Sequence, residues 1–237
     1  MIVSPVSLAR GLILVSLLAS CAGLNRLNSV STPNELFVLT PKSTFSPSLP
    51  NLTRQIVVEE PTATAAVDTD QIAVQPTMLQ VQYLPLARWV DRAPVLVQAL
   101  LIQSYENSNR VPAVGGSAIG LDADYVIATD MREFQAQLPP DADPGAPLMV
   151  HVRLNIKVID ALEDRIIGSR SFSEFQTASS DNVSDVVLAF DEALGDAMRD
   201  AIEWSVPLMQ AHATEREREK LEIRRPPPRP GVDAEDE

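Results

Sequence analysis

From Leu148 to Ile159 the chain alternates without interruption. Leu148, Val150, Val152, Leu154, Ile156 and Val158 fall on one side of the pattern, and Met149, His151, Arg153, Asn155 and Lys157 on the other. Neighbouring side chains of a strand point to opposite faces, so this segment predicts a strand with one face on a core and one toward water or a partner. A strand of a fully covered parallel sheet would read as an unbroken apolar run, which this is not. Asp160 to Asp164 reads as a turn, and Arg165 to Gln176 as the antiparallel return strand, with Ile167 and Phe175 on one face.

The remaining elements are arranged around that pair. Glu35 to Leu39 and Gln55 to Glu59 are short apolar runs stopped near Pro41 and Pro61. Gln71 to Gln75 and Leu79 to Tyr83 are two more, with Pro76 between them as a turn. Asp124 to Phe134 is a longer strand, separated from the alternating one by a loop from Pro139-Pro140 to Pro147. Two stretches change period. Trp89, Ala93, Val97, Leu100 and Leu101 recur at helical spacing between about Ala87 and Ser104, with the regular helix starting near Pro94. Val187, Phe190, Leu194, Ala197, Met198 and Ala201 form the stripe of a second helix from Ser184 to Val206, begun by Asp181 or Ser184 and stopped by Pro207. The expected fold is therefore α+β: a mostly antiparallel sheet with two amphipathic helices packed on one face.

The ends of the chain are of another kind. Arg10 precedes the apolar run Gly11 to Leu18, which is well short of the ~20 apolar residues that cross a bilayer core. Small residues follow it, as at the cleavage point of a secretory signal. Leu18-Ala19-Ser20-Cys21 resembles a bacterial lipobox. Residues 1–20 then form a lipoprotein signal peptide, and Cys21, the only cysteine, carries covalent lipid; several acyl chains give a stable anchor. The polar, aperiodic stretch 21–34 reads as a flexible tether and 35–208 as the folded domain. Residues 209–237, charged and proline-rich, read as a disordered tail whose first part, Thr214 to Arg225, is able to extend a helix as a salt-bridged stretch.

With a net charge of −13 the chain repels nucleic acid and anionic headgroups, so the lipid and not a basic patch must hold it to a membrane. Catalytic residues are hard to assemble. The one thiol is claimed by lipid, and the two histidines, His151 and His212, have no histidine or cysteine near them at metal spacing. The pairs Asp68/Asp70, Asp122/Asp124 and Asp141/Asp143 lack the glycine and closing glutamate of a calcium loop and suit turns. Gly115-Gly116-Ser117 lacks the lysine of a phosphate loop and reads as a flexible connection. These observations point to a binding or assembly component and not an enzyme, with no metal and no cofactor beyond the lipid on Cys21. The expected partner surface is the polar face bearing His151, Arg153 and Lys157, a cationic stripe on an acidic protein.

Several segments taken in order carry a resemblance. Phe37-Val38-Leu39 is followed by Ile56-Val57-Val58-Glu59, Asp68 to Val74, Leu79 to Tyr83 and Ala87-Arg88-Trp89 leading into Ala99-Leu100-Leu101. Later come Ala123 to Ile127 with Phe134, Ile167 to Phe172, and Ala189 to Leu194 with Trp204. Together they resemble the ABC-type transport auxiliary lipoproteins, a family that includes the lipoprotein of the paraquat-inducible intermembrane transport system. The resemblance implies a lipoprotein for trans-envelope transport of lipid or small hydrophobic molecules. It would work beside an ATPase, a permease and a substrate-binding protein of the MCE (mammalian cell entry) type, which it would receive at the periplasmic face of the outer membrane. Ala22 after the lipid cysteine, in place of an aspartate, fits that placement. A homo-oligomer is compatible with this reading. Two alternatives stay open: a carrier enclosing lipid between sheet and helices, and a lipoprotein that helps to assemble outer-membrane barrels.

Overall fold

The computed structural model describes residues 33–120, 122–139 and 146–224. Cys21, the signal segment, most of the tether and the end of the tail lie outside these residues. In chain order the strands are β1 (Glu35–Phe37), β2 (Gln55–Val58), β3 (Thr62–Ala63), β4 (Gln71–Thr77), β5 (Gln80–Trp89), β6 (Ala113–Gly116), β7 (Tyr125–Gln137), β8 (Met149–Asp160) and β9 (Arg165–Thr177). Helix α1 (Ala93–Asn107) joins β5 to β6, and α2 (Val183–Ile223) follows β9.

The alternating segment is β8, central to an antiparallel meander. Tyr125 lies opposite Asp160 and Gln137 opposite Met149 on one side, with Met149 opposite Thr177 on the other. Val150, Val152, Leu154, Ile156 and Val158 are all fully buried. The free edge of β7 is then covered in three steps by a chain running parallel to it. β2 meets Tyr125 to Ile127, β3 meets Asp130 and Met131, and β4 meets Ala136 and Gln137. β6 adds to β2, and β5 and then β1 add outside β4. The long ladders are antiparallel, so the sheet is mostly antiparallel as expected, while the short N-terminal strands supply parallel pairs.

Both helices pack on the buried face of the sheet, and one apolar cluster runs through strands and helices. Its centre is aromatic. Trp89, on β5, meets Phe190 of α2 edge-on at 5.2 Å between ring centroids and Phe134 of β7 at 5.9 Å. Each residue of the expected α2 stripe is buried.

Five local expectations need correction. Pro76 is not a turn; it lies inside β4, at a register shift between Val74 and Thr77 where no ladder N–H is needed, and the turn falls at Met78-Leu79. Ala87 to Trp89 end a strand and do not lead a helix, because β1 pairs with them and Trp89 plugs the core. Ile167 and Phe175 do not share a face. A shift between Val158 and Ile159 makes Ile167 an extra residue packed against the core, whereas Phe175 stands half-exposed on the outer face. Gly115 and Gly116 are not a flexible connection but an edge strand beside α1, where a Cβ on Gly116 would meet Gln98 at 3.4 Å, an ordinary van der Waals distance. Lastly, α2 does not stop at Pro207 or use a side-chain cap; Asn182 sits at its N-cap without one, and the helix continues to Ile223. A mid-helix proline costs a hydrogen bond and ~3 kcal/mol, but Val206, Met209 and Ala213 on either side are buried and hold the helix on course. Residues 209–223, expected in a disordered tail, are thus helical.

Candidate functional site

The outer face of the meander is the surface that no helix covers. His151, Arg153, Asn155 and Lys157 project from β8 on the side away from the core, as the alternation requires. The cross-strand partners decide what these residues present. Arg153 lies opposite Glu133 of β7 and donates from Nη2 to its Oε1 at 2.9 Å. His151 lies opposite Phe175 of β9; the rings stack at 4.0 Å between centroids, and Nε2 sits 2.9 Å from Ser173 Oγ. Desolvation by burial holds the His151 imidazole below its ordinary pKa, against the pull of Glu133. Lys157 is exposed and shares a shallow hollow with Glu59, Glu60 and Asp130. The three residues are brought to one face, but the face is a mixed polar surface and not a cationic stripe. The sequence does not reveal Glu133 as a partner, since register alone sets it opposite Arg153.

His212 belongs to a different cluster, at the far end of the sheet. Asp160, fully buried at the end of β8, accepts from the backbone N–H groups of Leu162 and Glu163 at 2.9 and 3.2 Å through Oδ1. Its Oδ2 takes Arg216 Nη1 at 2.7 Å and lies 3.7 Å from His212 Nε2. Tyr125 donates to the carbonyl of Met209 at 3.2 Å and meets His212 Nδ1 at 3.0 Å. An acid, an imidazole and a hydroxyl in contact invite comparison with a hydrolase relay. Yet burial, helped by Asp160, pushes the Tyr125 hydroxyl up to about 12, and Arg216 engages the carboxylate from the other side. In the hollow of about 400 Å³ beside it Arg54 reaches Glu217 and lies 4.0 Å from Asp124, while Asp122 and Lys220 also line the wall. Its geometry makes it a clasp that fastens α2 beyond Pro207 to the sheet.

A strap formed by residues 40–54 completes that fastening. Thr40 donates its backbone N–H to Asp191 at 2.6 Å, Lys42 pairs with Asp196 at 2.9 Å, Ser46 donates to Glu203 at 2.6 Å, and Arg54 reaches Glu217. Acidic residues along one side of α2 are thereby explained as anchors for the strap. Sequence reasoning passes over this segment because it has no period. Among the described residues no group of three or more His, Cys, Asp or Glu could hold a metal ion, and no helix is long and apolar enough to cross a membrane.

A family model described as ABC-type transport auxiliary lipoprotein component matches residues 37–201. An uncharacterized protein of Bradyrhizobium diazoefficiens is 26% identical over 188 residues, which cover 78% of this chain and 49% of that protein. The chain thus spans about half the length of this curated relative. A crystal structure of a Xanthomonas campestris protein is similar with a TM-score of 0.70 and 24% identity, covering 76% of this chain and 99% of that one. Another solved structure, of an uncharacterized protein, has a TM-score of 0.54 at 13% identity and covers 72% and 97%. Both share the fold.

Proposed function

Since the chain belongs to the family of ABC-type transport auxiliary lipoprotein components, we propose that it is a lipid-anchored docking module without catalysis, serving an ABC transporter of the MCE-associated kind. The observation that carries the reading is the division of the sheet into two faces. Both helices cover one, while no helix covers the polar face of β7, β8 and β9, whose side chains are mostly half-buried among their cross-strand neighbours. A rigid antiparallel meander is suited to presenting side chains to a partner protein, because its register fixes their spacing. In this proposal Cys21 carries the lipid, residues 21–34 bridge to the domain from 35 onward, and the module stands on the periplasmic side of the outer membrane. An MCE-domain protein would meet His151, Arg153 and Lys157, and the cargo would be lipid or another hydrophobic molecule.

The test is a crosslinking pull-down from intact membranes with tagged wild type, Cys21→Ser, and the double variant Arg153→Glu, Lys157→Glu. Capture of an MCE-domain protein by wild type, lost in Cys21→Ser and weakened in the charge-reversed variant, supports the reading. Unchanged capture by the double variant removes this face from the contact. A barrel protein in place of an MCE protein, or co-purified lipid alone, transfers the function to barrel assembly or to lipid carriage.

A further inference from the structure

The hairpin of β4 and β5 departs from the chemistry of the rest of the chain. From Gln71 to Ala87 it contains no Asp, Glu, Lys or Arg, although the chain as a whole is 22% charged. At its tip Met78 is 91% exposed and Leu79 100%. Val81, Tyr83 and Leu86 along β5 are also exposed. Exposed edge strands are usually blunted by charge, proline or a bulge; this one has Pro85 and an irregular register but no charge from Gln80 to Ala87. Leu86, at φ 58°, lies in a register shift that separates the outer hairpin from the Ala87–Trp89 segment held by β1.

Strand direction says where the tip points. β1 runs parallel to β5 with Glu35 opposite Ala87, so the chain enters the domain from the side on which the hairpin turns. The residues between Cys21 and Glu35 reach at most roughly 45 Å, about twice the ~23 Å from Ala87 back to Gln80. β4 also runs parallel to β7, placing the tip at the end of the sheet where β7 finishes beside Leu138, itself exposed. The turn with exposed Leu162 between β8 and β9 lies at the opposite end. We propose that the Met78-Leu79 tip is a second membrane contact, which dips into the interfacial layer of the bilayer and orients the anchored domain with its β8–β9 turn away from the surface. Uncharged apolar residues flanked by Thr77 and Gln80 fit a zwitterionic interface, where an otherwise acidic protein gains nothing from anionic lipid. The contact is weak alone and works because the anchor supplies a high local concentration; the inference therefore rests on lipidation of Cys21.

The experiment uses the full-length lipidated protein in phosphatidylcholine–phosphatidylethanolamine vesicles. Leu79→Cys and Leu162→Cys are labelled with a thiol-reactive fluorophore, and unaltered protein serves as control. Unaltered protein that floats with vesicles and takes up no label has its Cys21 acylated. Under the proposal, nitroxide-bearing lipid removes most of the emission at residue 79 and none at 162, whereas iodide quenches only 162. Floating protein with residue 79 open to iodide overturns the hairpin contact and leaves the anchor standing. Residue 79 shielded from both quenchers means that protein, a second copy or a partner, covers the tip, which also overturns it. Unaltered protein that labels at Cys21 and does not float overturns both.

Discussion

Removal of Arg216 tests the clasp directly. Asp160 is fully buried, and its Oδ2 depends on the Arg216 guanidinium at 2.7 Å. Deleting one partner of a fully buried pair costs roughly 3–5 kcal/mol, because the other charge is stranded. Two features reduce that figure. The Arg216 side chain is 21% exposed, so part of its charge is already hydrated. Asp160 Oδ1 also keeps the N–H groups of Leu162 and Glu163, and hydrogen bonds to charged groups are worth about 1.5–3 kcal/mol. We expect Arg216→Ala to lose about 2–3 kcal/mol, a large part of the 5–15 kcal/mol typical of a domain. Asp160→Asn keeps the turn-capping oxygen and removes the charge, so in that background Arg216→Ala should cost less than about 1 kcal/mol. Urea unfolding of the four proteins, followed by far-ultraviolet circular dichroism, gives the cycle. Hydrogen exchange should locate the loss at residues 209–223. If Arg216→Ala costs the same in both backgrounds, the buried carboxylate does not depend on the arginine, and the clasp is not what carries α2 past Pro207.

Two further stability predictions follow from packing and titration. A Cβ on Gly168 would lie 2.5 Å from Leu208 Cδ2 and 3.1 Å from Trp204 Cζ2, so Gly168→Ala should lower the urea midpoint by the equivalent of about 1–2 kcal/mol, overpacking less the gain of replacing a strand glycine. Adding Leu208→Ala should recover part of that loss, and a recovery of nothing would show that the clash is relieved elsewhere. His151 is held below its ordinary pKa by burial, so in the window from that depressed value up to about pH 6.5 the unfolded chain binds more protons. Stability therefore rises with pH through this window and falls on acidification. His151→Gln should flatten the dependence of the urea midpoint between pH 7 and pH 5, and an unchanged slope would assign the dependence to other groups.

The legible parts of this protein were those where one period governs many residues. β8 announces itself because burial of one face of a strand needs only alternation, and the meander and the α2 stripe follow for the same local reason. The three residues singled out on β8 do share a face, since register cannot change which side of a strand a residue occupies. Their charge environment was not legible. Glu133 opposite Arg153 and Phe175 beneath His151 depend on the register between neighbouring strands, which alternation within one strand does not set, and a single-residue bulge at Ile167 sends it and Phe175 to opposite faces.

By itself the sequence determined the α+β class, the buried face of β8, the apolar stripe of α2 and the family to which the chain belongs. Only tertiary structure decided that Pro76 lies in a strand, that Trp89 closes the core from β5, and that α2 runs through Pro207 to Ile223. The physical reason is the same in each case. Propensity penalises a proline or rewards a period by about 1–3 kcal/mol within a local window, whereas the pairing of β4 with β7, the packing of Trp89 on Phe134 and Phe190, and for α2 the Asp160–Arg216 pair and the 40–54 strap are contacts with residues far along the chain and outweigh it.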